Sequence, residues 1–462
     1  MRLAEFEPDF PAASLPVPKG RAQREAGLTA GWPVRATKAS LQETTMLSRR
    51  NLLTASLSAG ALGFLPRLLR AEETNKTKFL FVFAGGGWDP TYVFAPMFNS
   101  PNIPVPESST TANVAGLDFV DSDTRPSVRS FLQAYGDKTC FINGFEVQSV
   151  THERCRRLLL TGSANPDGDD WPSRIAGADD SYLFPHLVMS GPAYTSHYST
   201  SVTRVGESGQ LAPLLDGTVL RGSQPTCDPI SASSRTAVDA VVERRRLAAA
   251  AGQRGRGLTF ADALQRIEDQ RLALATITDL DLSIGVDGLN TPVSERILPA
   301  ITCLERGLAR CSIIEHKGLY NLGWDSHSDI NMQSTHFELL FSDLNAILGQ
   351  LASRNGPEGG RLIDEVVTVV ISEMGRAPTI NGSGGKDHWT FTSAMLIGPG
   401  VAGGRVFGGF DDAFVGLPTD LASGEPDEGG TLMSTENLGA TLLVMAGVDP
   451  GGIEPIAAVY SG

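Results

Sequence analysis

The sequence predicts an α/β protein with a mostly parallel central sheet and helices on both faces. Two observations carry this. Residues 78–84 (KFLFVFA) and 365–371 (EVVTVVI) are nearly continuous apolar runs, as expected of strands buried on both faces. Stretches of helical periodicity alternate with these and with shorter apolar runs, the pattern of helices laid over a parallel sheet.

The first strand, 78–84, ends at Gly85-Gly86-Gly87-Trp88-Asp89. Further strands are predicted at 138–144 (KTCFING), 186–190, 365–371 and 393–397. Helical patterns cover 127–135, 153–160, 237–277 with a break near 252–257, 295–315, 333–354 and 436–446. The 333–354 pattern sets Phe337, Leu340, Leu344 and Leu348 near one face. Residues from about 190 to 298 are poor in strand signals and read as a helical insertion on the sheet. There is no internal repeat.

The N-terminus reads as an address. Arg49 and Arg50, within Ser48-Arg49-Arg50-Asn51-Leu52-Leu53-Thr54, precede an apolar run from Leu52 to Leu65. Paired arginines ahead of such a run are the sign of a twin-arginine signal. The run is shorter than the ~20 residues of a membrane span, Pro66 ends it, and Ala71 offers a small residue for cleavage. This organises the chain as an extension over 1–45, a signal over 46–71 with initiation at Met46, and a single domain over 72–462. The export machinery is then a partner, and the destination is periplasmic or extracellular.

Net charge is −14, and residues 1–71 contribute about +5 of basic excess, which leaves about −19 for the rest. Such a balance disfavours a nucleic-acid surface. The five cysteines, Cys140, Cys155, Cys227, Cys303 and Cys311, form no CxxC pair. Cys303 and Cys311, read as helical and eight apart, would lie about 12 Å apart along the axis, too far for a disulfide. Buried apolar thiols are the expectation for most of the five.

Polar clusters follow the strands or sit in glycine-rich loops, where open parallel sheets place ligand sites. They are Asp89, Thr151-His152, Asp325-Ser326-His327, Glu373 with Arg376, and Lys386-Asp387-His388. Each alone has a plainer reading: Asp325 as a helix cap, Glu373 as a strand-end cap, a single histidine as a structural side chain. Together, carboxylates and imidazoles suit Zn, Mn or Fe, and carboxylates with water suit Mg or Ca.

GWDSH (323–327), SEMGRAP (372–378) and GGKDHW (384–389), followed by GGRVFG (403–408), resemble the family called domain of unknown function 1501. The resemblance covers about residues 75–460. That family is distantly similar to the alkaline phosphatase and sulfatase superfamily, an α/β sandwich with a metal site at its strand ends. The resemblance implies a divalent metal (Zn, Mn, Mg or Ca) held by Asp89, Asp325, His327, Glu373, Asp387 and His388. It implies an exported hydrolase of phosphate or related esters, small or polymeric. Arg376 or Lys386 would hold the anionic substrate, and Thr151 or a water would attack. His152 occupies the nucleophile slot of the sulfatase block, within HERCRRLLLTG (152–162), so formylglycine chemistry is not implied. His152 is instead a general acid or a further ligand. The rival expectation is a non-catalytic binding protein that keeps the fold without the nucleophile.

Overall fold

The computed structural model describes residues 75–206, 231–251 and 291–460. The twin-arginine segment, Met46 and Cys227 lie outside these residues. No helix among them is long and apolar enough to cross a membrane.

In chain order the elements are β1 (Lys78–Ala84), β2 (Ser109–Val114), β3 (Leu117–Ser122), α1 (Pro126–Tyr135), β4 (Thr139–Glu146), α2 (His152–Thr161) and α3 (Trp171–Gly177). Then come β5 (His186–Val188), β6 (Val202–Arg204), α4 (Ala232–Ala251), α5 (Val293–Arg296), α6 (Leu298–Glu305), β7 (Cys311–His316) and α7 (Met332–Ser353). The last are β8 (Val366–Ser372), β9 (Gly375–Arg376), β10 (His388–Trp389), β11 (Phe391–Ile397), β12 (Arg405–Gly408) and α8 (Thr435–Met445).

Eight strands form one sheet in the order β12-β4-β11-β8-β1-β7-β5-β6. All are parallel except β11, which runs against β4 and β8. β1 and β8 are direct parallel neighbours, Phe81 opposite Val369, so the two strongest apolar runs form the middle of the sheet. Strand alternation sends Phe79, Phe81 and Phe83 to one face, against Leu158 of α2, Ile175 of α3 and Leu442 of α8. Leu80, Val82 and Ala84 go to the other, against Phe131 of α1, Ile301 of α6 and Phe337 of α7. Each such large side chain contributes about 1.5–3 kcal/mol on burial, which is why KFLFVFA carries no polar residue after its lysine.

The predicted fold class holds, with one correction. Residues 295–315 do not form one helix. Helix α6 stops at Glu305, and Gly307 (φ 65°) turns the chain back so that Cys311–His316 pairs with β1 as a central strand. The β2–β3 hairpin, β6, β12 and α3 were not anticipated. Of the expected 190–298 insertion, residues 190–206, 231–251 and 291–298 are described and include β6, α4 and α5, and the remainder lies outside the described residues. Cys140, Cys155, Cys303 and Cys311 are buried and free.

Candidate metal centre

Strand direction gathers the site. β1 ends into Gly85–Asp89, β4 leads to Thr151 and His152 at the start of α2, β7 leads to Asp325 and His327, and β8 ends at Glu373. These are all carboxyl ends of parallel strands. His388 arrives by the opposite route. It precedes β11, the reversed strand, so it lies where that strand enters and the others leave.

Asp325 is the hub. Its Oδ1 lies 3.2 Å from His327 Nε2 and 3.6 Å from His388 Nε2, and its Oδ2 lies 3.4 Å from His152 Nε2. Ligand atoms of His152, Asp325 and His388 all fall within 4.8 Å of one another. Each histidine is braced from behind through Nδ1. His152 meets Glu373 Oε1 at 3.0 Å, and His327 meets Asp387 Oδ1 at 3.2 Å. His388 donates to the Val150 carbonyl at 2.7 Å.

These braces decide the tautomers. A carbonyl or carboxylate only accepts, so each Nδ1 carries the hydrogen; Nε2 is then the lone-pair nitrogen of a neutral ring, or the N–H donor to Asp325 of a protonated one. His327 Nε2 and His388 Nε2 stand 2.9 Å apart. Two lone pairs at that separation repel unless a cation, proton or metal ion, lies between them. Imidazoles oriented by an outer carboxylate or carbonyl and converging on one carboxylate match a transition-metal donor set.

The charges agree. Burial pushes the Asp325 carboxyl up, but hydrogen bonds from His152 and His388 and the nearby Arg376 outweigh it and hold it well below the usual range. Hydrogen bonds to Asp325 and then Glu373 push His152 up to about 9. Burial also raises Glu373, yet His152, the Gly86 N–H and Arg156 together keep it low.

A second, wholly buried layer supports this cluster. The Arg376 side chain is 0 % exposed and pairs with Asp325 at 2.8 Å. It also donates to the carbonyls of Gly87 (2.9 Å), Lys386 (3.2 Å), Trp324 (3.4 Å) and Gly86. Lys386 Nζ meets Asp89 Oδ2 at 2.7 Å, with both residues buried. Asp89 Oδ1 accepts from Thr91 N and Thr91 Oγ1, which starts the turn at 90–92. Glu373 takes the Gly86 N–H on both oxygens, at 2.8 and 2.9 Å. Gly86 is required there: its φ is +127°, and a Cβ would stand 2.5 Å from Trp324 N.

The sequence candidates therefore separate. The fold brings Asp325, His327 and His388 together and adds His152, whose place in the cluster only its alternative role as a ligand anticipated. Glu373 and Asp387 stand behind the histidines. Asp89 is turned away and neutralised by Lys386. Arg376 and Lys386, read from the sequence as anion holders, are corrected by their burial: their charges face carbonyls and carboxylates inside the protein. Thr151 is exposed, with the Ser149 hydroxyl 3.4 Å from its own. Arg156, one helical turn after His152, matches the arginine of the sulfatase block but was not among the site candidates. It keeps 28 % of its side chain exposed, with its Nε 3.4 Å from Glu373. Burial pushes the Cys155 thiol up to about 11, so it offers no ready thiolate.

An α/β protein with a histidine–carboxylate centre at the carboxyl edge of its sheet is the class these features define. The chain belongs to the family described as protein of unknown function (DUF1501), whose model matches residues 78–452. No curated protein matches it. Among solved structures it is similar to a protein in the alkaline phosphatase superfamily from Vibrio parahaemolyticus, at 10% identity and TM-score 0.38, covering 83% of this chain and 69% of that one. It is also similar to the lipoteichoic acid synthase LtaP from Listeria monocytogenes, at 9% identity and TM-score 0.35, over 84% and 75% of the two chains. The PsFucS1 sulfatase from Pseudoalteromonas sp. is similar at 9% identity and TM-score 0.33, over 80% and 68%.

Proposed function

We propose that this chain is an exported, metal-dependent hydrolase of phosphate or related esters. The observation that carries the reading is the convergence of three braced imidazoles on Asp325, with two Nε2 atoms 2.9 Å apart. His152, His327, His388 and Asp325 would hold the ion. A divalent ion bound there would supply Lewis-acid polarisation of an ester oxygen. Arg156 is the partly exposed guanidinium beside the cluster and would hold the anionic group. Asp325, kept ionised by its neighbours, would balance the cation. Thr151, next to His152, carries an exposed hydroxyl and is the nucleophile to test.

One observation favours a second reading, a metal-binding protein without turnover. Arg376 and Lys386 are enclosed, and Thr151 lies next to a hydroxyl rather than a base. The two readings separate on purified protein. Metal content is measured, and aryl phosphate mono- and diesters and an aryl sulfate are assayed with and without chelator. Chelator-sensitive turnover that Arg156→Ala abolishes supports the hydrolase. Bound metal with no turnover of any ester supports the second reading, and no metal in the presence of Zn, Mn, Mg or Ca removes both. Export rests on Arg49 and Arg50: Lys at both positions should retain the protein in the cytoplasm, and normal export of that variant would sink this part.

A further inference from the structure

A cavity of about 210 Å³ opens beside the carboxyl end of β7, between α5 and α7, and no residue of the histidine–carboxylate cluster lines it. It is larger than the ~150 Å³ apolar cavity that admits benzene. Its floor is polar and closed to bulk solvent: His316, Arg296 and Asp343 are each less than a tenth exposed.

The hydrogen-bonding capacity of this floor is specific. His316 Nδ1 accepts the Gly318 N–H at 3.3 Å, so its Nε2 carries the hydrogen. Asp343 Oδ2 lies 3.6 Å from that Nε2, beyond hydrogen-bond length. Burial pushes His316 down to about 3, so the ring is neutral and remains a single donor on this side. Asp343 accepts from Val293 N, Ser294 N and Ser294 Oγ, which leaves it one of roughly four lone-pair directions. A donor and an acceptor thus lie side by side without satisfying each other. A hydroxyl satisfies both, because it accepts from one and donates to the other. A carboxylate cannot donate, and an ammonium cannot accept. Charge around the cavity is mixed rather than of one sign: Arg296 and Lys317 line it with Asp343, and Glu315, just outside the lining, lies 3.7 Å from Lys317.

The rim carries an aromatic ring held against its backbone preference. Tyr320 lines the cavity, is 64% exposed, and sits at φ 52°, ψ 24° in the left-handed region. The loop is fixed on both sides of it. Gly318 has φ 65°, and a Cβ there would meet His336 Nδ1 at 2.2 Å. The Leu319 N–H donates to that same nitrogen at 2.9 Å, and Gly323 N–H donates to the Lys317 carbonyl at 2.7 Å. The backbone that carries the exposed ring is therefore held in place, with Leu339 also on the cavity wall.

We propose that this cavity binds one ring of a neutral sugar, with its hydroxyls against His316 and Asp343 and its C–H face on Tyr320. Aromatic faces suit the apolar side of such a ring, and a few convergent polar groups fix its orientation. The site is independent of the histidine cluster and of any turnover there.

Saturation-transfer NMR tests it on the full chain. The probes are the methyl α-pyranosides of D-glucose, D-galactose and D-mannose, each with and without chelator. At least one should receive saturation at its ring protons, equally in both conditions. Tyr320→Ala should weaken that affinity about tenfold, and Tyr320→Phe should restore it. Ser342→Trp, at an exposed position on the wall, should fill the mouth and abolish the transfer. No transfer to any of the three, or undiminished transfer in both Tyr320→Ala and Ser342→Trp, would overturn the proposal. So would displacement by acetate or inorganic phosphate, because a mixed floor should not prefer an anion.

Discussion

Asp89, Glu373, Arg376 and Lys386 lie inside the carboxyl edge of the sheet, and His152, Asp325, His327 and His388 lie at its surface. Both groups are rich in ionisable side chains from the same glycine-rich loops. In the inner group the protein itself answers each charge: Lys386 faces Asp89, Arg376 faces Asp325 and four carbonyls, and Glu373 faces Gly86 and His152. In the outer group the braces are equally complete, but His327 Nε2 and His388 Nε2 face each other at 2.9 Å and must share a proton or a metal ion. Proximity of charge is common to both. The difference lies in which polar atoms the protein pairs internally and which converge on one another at the surface.

Four substitutions sharpen or break this contrast, from the largest effect to the smallest. Arg376→Met should cost about 3–5 kcal/mol, because it strands a half-buried carboxylate and several carbonyls. Urea unfolding measures it, and a midpoint equal to wild type would erase the distinction between the groups. Asp325→Ala should leave metal-free stability closer to wild type than Arg376→Met does. At zinc a hundredfold above its dissociation constant the wild type should gain about 2.7 kcal/mol, and the variant should gain almost nothing in a thermal melt. Glu373→Gln keeps the shape behind His152 but weakens its brace. A 10–100-fold loss of metal affinity is expected by competition with a fluorescent chelator, and unchanged affinity would detach Glu373 from the site. Asp387→Asn, at a largely exposed brace, should weaken affinity only several-fold in the same assay. A larger loss than for Glu373→Gln would mean that His327 rather than His152 is the critical ligand.

The sequence disclosed the central strands because KFLFVFA and EVVTVVI are too uniformly apolar for anything but a doubly covered position. It hid β7 because CSIIEH is short and follows directly on a helical pattern. The signal that divides them is Gly307, a left-handed helix stop that helical periodicity alone overlooks. The β2–β3 hairpin was harder to read: it turns at Ala115-Gly116, both at positive φ (54° and 93°), and alanine does not signal that conformation. At the site, motif order pointed to the loops that meet at the carboxyl edge of the sheet. It could not say which side of each loop faces inward, so Asp89, Arg376 and Lys386 were read as working groups. Their burial depends on contacts between segments almost 300 residues apart, such as Lys386 with Asp89, and no local pattern encodes that.

The order of strands in the sheet also sets a timetable for synthesis. β1 is made first of the eight and occupies a central position, yet its two partners are β7 and β8. β7 begins 227 residues after β1 ends. At ribosomal speeds of roughly 5–20 residues per second that interval is about 10–45 s. Throughout it, a seven-residue run with six apolar side chains has neither of its neighbours. Unpaired strands of this composition adhere to one another, so association between nascent chains competes with folding over this interval. Slowing translation between residues 84 and 311 should therefore lower the yield of soluble protein more than slowing it after residue 372.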